Sequence, residues 1–155
     1  MVDMLLALNS CKKPIVAVVR GGSIGIGYTL LNHVTMIYCE SRARFKTPFM
    51  ESGQTPEGTS TYLFPEHFGT KKGNEVLLLD PVISGEDAVR LGFANAIVDG
   101  FDKNNDFFDP SLIPAIPKLL KTDVFTITNA MSLLNAAKDN KKIEEVTRRE
   151  AETSY

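Results

Sequence analysis

A chain of 155 residues that is 43% hydrophobic and 23% charged has the balance of an ordinary globular domain with a sizeable core, which sets aside the disordered and membrane-spanning classes. The 17 basic and 19 acidic residues leave a net charge of −2. The basic residues are scattered, so there is no electrostatic footprint for nucleic acid.

In chain order, residues 2 to 9 carry apolar positions at helical spacing and read as a core helix, since no basic leader precedes them and no small-residue cleavage site follows. "PIVAVV" is a β-branched run suited to a buried strand. "RGGSIGIGYTLLNHV" is a glycine-rich turn entering a helix, and "TMIYCE" and "ARFKTPF" read as strands. Strand, glycine turn, helix and strand in close succession make a βαβ-like unit and an α/β domain.

From Thr55 onward the pattern becomes helical. Thr55 suits an N-cap and Pro56 the first helical position, so a helix over residues 56 to 67 is expected, with Glu57 in its first turn. "KKGNEVLLL" predicts a second helix that turns Val76, Leu77 and Leu78 toward the core and ends at Pro81. Ser84 with Asp87 three residues later is a capping-box pattern, so a short helix is expected from Gly85, closed by Gly92 and followed by a strand in "ANAIV". "DGFDKNNDFFDPS" reads as a long surface loop. Residues from Pro114 onward predict two or three amphipathic helices, with a break near 121 to 123 where Thr122 is a plausible N-cap. The mixed charges of "KDNKKIEEVTRREAE" read as a solvated helix face.

The chemistry-bearing candidates are few. Cys11 and Cys39 have neither CxxC spacing nor a His cluster, so no disulfide framework, zinc site or other metal site is indicated. The glycine turn fails the dinucleotide-binding spacing, because Arg20 and Leu30 stand where glycines are required, and no Gly-Lys-Ser/Thr follows for a phosphate loop. Its glycines still allow unpaired N–H groups at a helix start, where a developing negative oxygen is stabilised; a tight crossover explains them equally. His33 and His67 have no nucleophile partner pattern and read as surface or helix-packing residues. Glu57 has two readings: an acidic residue favoured by the helix dipole, or a base kept unpaired because the following Gly-Thr-Ser-Thr offers no cation. Phe49, Met50, Leu63 and Phe64 are the apolar neighbours that could raise its basicity, against a dipole that would lower it.

The ordered set "KPIVAVVRGGSIGIGYTLL", "RARFKTPFMESGQTPEG" and "LLLDPVISGEDAVRLGFANAIV" resembles the crotonase (enoyl-CoA hydratase/isomerase) superfamily, and within it the peroxisomal-type Δ3,Δ2-enoyl-CoA isomerases. The resemblance implies an α/β fold, a spiral of ββα turns that is truncated here, with a partial core over 1–110 and a C-terminal helical oligomerisation region over 111–155. It implies Glu57, in Gly53-Gln54-Thr55-Pro56-Glu57-Gly58, as the catalytic base and the Ile26 backbone N–H as an oxyanion donor. Gly25, Phe49 and Met50 fall in the substrate-binding part. Thr29 and Phe49 stand where hydratases carry their two glutamates, which disfavours water addition and favours isomerisation of a 3-enoyl-CoA to the trans-2-enoyl-CoA.

No cofactor is implied beyond the coenzyme A of the substrate. The partners implied are an acyl-CoA and further copies of the chain, as a homotrimer or hexamer, with no nucleic acid and no membrane. The compartment implied is the peroxisomal or mitochondrial matrix, although "TSY" is not a Ser-Lys-Leu type of address and no readable targeting signal is expected. Relative to the family pattern, a Ser-Gly-x-Asp-like segment that supplies the second oxyanion donor is expected to be missing before Met1. The chain then reads as a fragment or short isoform, and a non-catalytic acyl-CoA or protein-binding module is the alternative.

Overall fold

In the computed structural model, which describes residues 1–100 and 109–153, the chain begins with helix α1 (Val2–Asn9) and strand β1 (Val16–Val19). Strand β2 (Gly22–Ile24) follows, then the short helix α2 (Ile26–Thr29), which continues as a 3-10 turn over Leu30–His33. Part of the glycine-rich segment is therefore a strand rather than only a turn. β3 (Met36–Cys39) and β4 (Arg44–Lys46) precede α3 (Ser60–Phe68) and α4 (Thr70–Leu79). β5 (Ile83–Ser84), α5 (Gly85–Arg90) and β6 (Ala96–Ile97) complete the α/β part, and α6 (Ala115–Lys121), α7 (Val124–Ala137) and α8 (Asn140–Thr153) end the described chain.

The strands form two sheets. β1, β3 and β6 are parallel neighbours, with Val16 opposite Met36 and Cys39 opposite Ile97. β2 pairs parallel with β4, and β4 pairs antiparallel with β5. β1–β2–α2 and β3–β4–α3 each run one strand of either sheet into a helix, the ββα turn of a spiral, while β5 returns to the sheet of β4.

The core between sheets and helices is aromatic. Tyr28 of α2 packs on Phe45 of β4, Phe64 of α3 and Phe93, with ring centroids 5.3, 4.9 and 5.0 Å apart. Such pairs add roughly 0.5–1.5 kcal/mol each beyond area burial, so α2 is held from three sides. That matters because α2 carries the glycine turn at one end and Thr29 at the other. Burial also pushes the Tyr28 phenol up.

Several sequence expectations hold and several move. Ser84 caps α5 by accepting from the Asp87 N–H at 3.1 Å. Val76 and Leu77 are buried, but Leu78 is 57% exposed, because three consecutive helical positions span about 200° and cannot all face one core. The N-cap of α7 is Asp123, whose carboxylate accepts from the Thr126 N–H at 2.9 Å, while Thr122 turns its hydroxyl back to the Lys118 carbonyl. Most of the expected loop at 99–111 lies outside the described residues.

The largest displacement concerns the helix expected from Pro56. It starts instead at Ser60, because Gly58 (φ +74°) and Thr59 (φ +65°) both adopt left-handed backbone and interrupt a right-handed helix. Glu57 is therefore not in a helical first turn. It sits on the turn that feeds α3.

Candidate functional site

Gly25 begins the site. Its φ of +56° with ψ of −127° is a conformation that side chains avoid, and it lets the chain leave β2 and enter α2 in one residue. The Gly25 N–H donates to the Lys46 carbonyl at 2.9 Å, tying the turn to β4, and the Gly25 carbonyl accepts from Tyr28 and Thr29 at 2.8 and 3.0 Å. Ile26 is then the first residue of α2, and its N–H has no intrahelical acceptor by helix geometry.

After β4 the chain makes a compact bend in which Gln54 N–H donates to the Phe49 carbonyl at 2.8 Å, burying the Phe49 ring. The bend returns Glu57 to α2. The two segments enclose a cavity of about 440 Å³ lined by Met1, Gly25, Ile26, Pro48, Phe49, Gln54, Thr55 and Glu57. Glu57 is the one carboxylate among its described lining residues. A larger apolar groove of about 580 Å³ runs between Lys12–Val16 and α6–α7, and it contains no acid or base other than lysines.

The Glu57 carboxylate accepts from the Thr29 hydroxyl at 3.2 Å, beyond the usual span of a strong O–H···O bond. Burial in the cavity wall raises the Glu57 carboxyl above the ordinary carboxylate range, and the Thr29 hydrogen bond lowers it less. Desolvation therefore prevails over the hydrogen bond at Glu57, which lies before the first turn of α3 rather than in it. A carboxylate so placed is a better base than a solvated one, with only a neutral partner to hold it.

The backbone that follows Glu57 is pinned. A Cβ at Gly58 would lie 2.3 Å from the Thr29 hydroxyl oxygen and 2.6 Å from the Thr29 Cβ, so only glycine admits this approach. The Gly58 carbonyl accepts from His33 Nε2 at 3.1 Å. Burial lowers the His33 pKa, so the ring is neutral with its proton on Nε2. Thr29 meets the Glu57 carboxylate and His33, four residues on, meets the Gly58 carbonyl, and together they hold the Glu57–Thr59 segment against α2 and its 3-10 continuation. His33 thus packs within the helix layer, while His67 is exposed.

Of the residues singled out from sequence, Gly25, Ile26, Phe49 and Glu57 line the one cavity. Met50 does not; it is 44% exposed beside the bend. Leu63 and Phe64 are buried in α3, outside the lining set. His33 joins the site without having been expected there, and Thr29, which stands at a hydratase glutamate position, joins it as the hydrogen-bond partner of Glu57. Their signal was only the i, i+4 spacing of Thr29 and His33, which is common in any helix. Among the described residues there is no cluster of three His, Cys, Asp or Glu, and no helix is long and apolar enough to cross a membrane.

Comparison with known proteins follows the same geometry. The family model described as enoyl-CoA hydratase/isomerase matches residues 1–154. Enoyl-CoA delta isomerase 2 of Rattus norvegicus is 40% identical over 85 residues, covering 55% of this chain and 22% of that protein. The chromodomain Y-like protein of Homo sapiens is 34% identical over 86 residues, covering 56% of this chain and 14% of that protein. The crystal structure of a putative enoyl-CoA hydratase/isomerase from Acinetobacter baumannii superposes with a TM-score of 0.82 at 26% identity, over 97% of this chain and 63% of that one. The chain thus spans less than two thirds of the length of each of these three proteins.

Proposed function

This chain belongs to the enoyl-CoA hydratase/isomerase family, and on that footing we propose that it carries the isomerase site, which moves the double bond of a 3-enoyl-CoA to give the trans-2-enoyl-CoA. The observation that carries the reading is the cavity wall itself: one raised, half-buried carboxylate, Glu57, on the same wall as the Ile26 N–H at the start of α2. Adding water across a double bond uses two acid–base groups, and the positions where the family resemblance places the hydratase glutamates hold Thr29 and Phe49. Moving a proton between two carbons needs one group that can take it and return it.

In the proposed mechanism, ionised Glu57 removes a proton from C2 of the acyl chain, which is both α to the thioester carbonyl and allylic. The C3–C4 π electrons delocalise into a dienolate whose charge rests on the thioester oxygen, and the Ile26 N–H stabilises that oxygen. The same proton returns from Glu57 to C4 as the C2–C3 double bond forms. Base catalysis of this kind contributes typically ~10²- to 10⁴-fold, and one oxyanion donor about 3–4 kcal/mol. Thr29 holds one carboxylate oxygen, and Phe49 supplies an apolar wall for the acyl chain. No cofactor takes part; coenzyme A belongs to the substrate.

Assembly as a homotrimer or hexamer through residues 111–155, with residues 1–110 as the catalytic core, and a peroxisomal or mitochondrial setting complete the proposal. Support for assembly is the apolar surface of α6 and α7, where Leu120, Val124 and Phe125 are 80%, 76% and 75% exposed. A second reading is a non-catalytic acyl-CoA or protein-binding module; a match of nearly the same length, 86 residues against 85, goes to a protein whose name carries no isomerase. Turnover of 3-hexenoyl-CoA by the parent chain and by Glu57→Gln separates the two. Loss of turnover with acyl-CoA binding retained supports the isomerase; a parent chain that binds without turnover supports the module.

A further inference from the structure

The carboxylate at the start of α3 is not Glu57 but Glu150, which comes from α8 at the far end of the sequence. Glu150 is 6% exposed and accepts hydrogen bonds from the Thr59 N–H at 2.6 Å, the Thr61 N–H at 2.9 Å and the Thr61 hydroxyl. One turn earlier on α8, the Thr147 hydroxyl meets the Thr59 hydroxyl at 2.6 Å, with both residues fully enclosed. Thr59 is β-branched and left-handed, a conformation that persists only where surrounding contacts over-determine it. The residue two before it is Glu57.

We propose that Glu150 is a positioning residue for Glu57: by capping α3 from outside its own helix it fixes the Gly58–Thr59 turn, and through that turn the place of the Glu57 carboxylate in the cavity. The inference rests on the reading of Glu57 as the base. The N–H and O–H groups facing Glu150 are donors spread over both of its oxygens, which a carboxylate accepts on both sides and a glutamine on only one, since its amide nitrogen is then set against a donor. The α3 dipole favours the same charge. α8 contributes no described residue to the cavity lining, yet it determines the path of the chain that does.

The test compares Glu150→Gln with the parent chain and with Arg148→Ala, which breaks only an exposed pair with Glu144 on the same helix. Amide exchange is followed at Thr59 and Thr61, which face different oxygens of Glu150 so that the glutamine leaves one of them without an acceptor, and at Ser60, whose N–H donates to the Glu57 carbonyl at 3.3 Å. Exchange at Ser60 and at one or both of Thr59 and Thr61 is expected to rise roughly tenfold or more in Glu150→Gln, with Val76 still protected. With 3-hexenoyl-CoA, kcat is expected to fall roughly 10- to 100-fold while KM stays within about twofold, as for a misplaced group acting in the transition state. Arg148→Ala should move neither.

Faster exchange at Thr59 or Thr61 with Ser60 unchanged overturns the proposal, because the effect then stops at the cap. An equal loss in kcat and 1/KM accompanied by loss of Val76 protection overturns it as well, as general destabilisation. If Glu150→Gln does not fold, Glu150→Asp, which keeps the charge but draws both oxygens back by one methylene from the Thr59 and Thr61 donors, is read in the same way. If the parent chain shows no turnover, it is the reading of Glu57 as base that fails, and exchange at Ser60 decides the positioning claim alone.

Discussion

Gly58→Ala is the sharpest single perturbation, because it acts on the contact that sets Glu57 beside α2. Two costs are separable. The left-handed φ of +74° disfavours any Cβ by roughly 1–2 kcal/mol. The added Cβ would also lie 2.3 Å from the Thr29 hydroxyl oxygen and 2.6 Å from its Cβ, and Thr29 is fully buried, with Tyr28 beside it locked in the aromatic core. Overpacking of that kind costs typically 1–3 kcal/mol. The expected total is about 3 kcal/mol, or a fall in Tm of roughly 6–12 °C for a chain of this length.

A double-mutant cycle with Thr29→Gly removes the overlapping atoms but not the backbone term. The double variant is therefore expected to be more stable than the sum of the singles by about 1–3 kcal/mol, measured by denaturant unfolding at constant pH. Additivity within about 0.5 kcal/mol would refute the proposed contact. So would a Gly58→Ala variant with parent stability.

Other expectations follow from the protonation states around the site. Thr29→Val removes the interaction that lowers the Glu57 pKa, so the acid limb of the pH–rate profile should move to higher pH with its shape unchanged. Because the Glu57 pKa is raised on folding, stability is lost as pH rises through the folded value; Glu57→Gln should therefore gain on the parent in unfolding free energy between pH 4 and pH 7. His33 has the opposite sign, since its pKa lies below the ordinary 6.5 and its stabilisation is lost as pH falls through the folded value. His33→Asn should thus lose less stability than the parent between pH 7 and pH 5, by chemical denaturation. For the proposed assembly, Phe125→Glu is expected to lower the solution mass measured by light scattering while leaving helix content unchanged.

The sequence by itself determined the elements that depend on near neighbours. A β-branched run placed β1, alternation placed β3, Ser84 and Asp87 specified the start of α5, and the glycines at 25 and 27 marked a turn into a helix. Ordered motifs and their family resemblance also brought Gly25, Ile26, Phe49 and Glu57 to attention, and all four line one cavity. What misled was local capping logic at Thr55-Pro56-Glu57. That signal reads only the residues beside it, whereas α3 takes its cap from Glu150, 91 residues beyond Thr59.

Only the tertiary structure decided where that helix begins, that Met50 is turned outward, and that Thr29 and His33 hold the Glu57 carboxylate and the Gly58 carbonyl. Each is set by groups distant in sequence meeting in a buried space, where an unpaired polar atom or an extra methyl group costs more than any local propensity supplies. The balance of desolvation against hydrogen bonding at Glu57 belongs to the same class. It needs the cavity wall to exist before it has an answer.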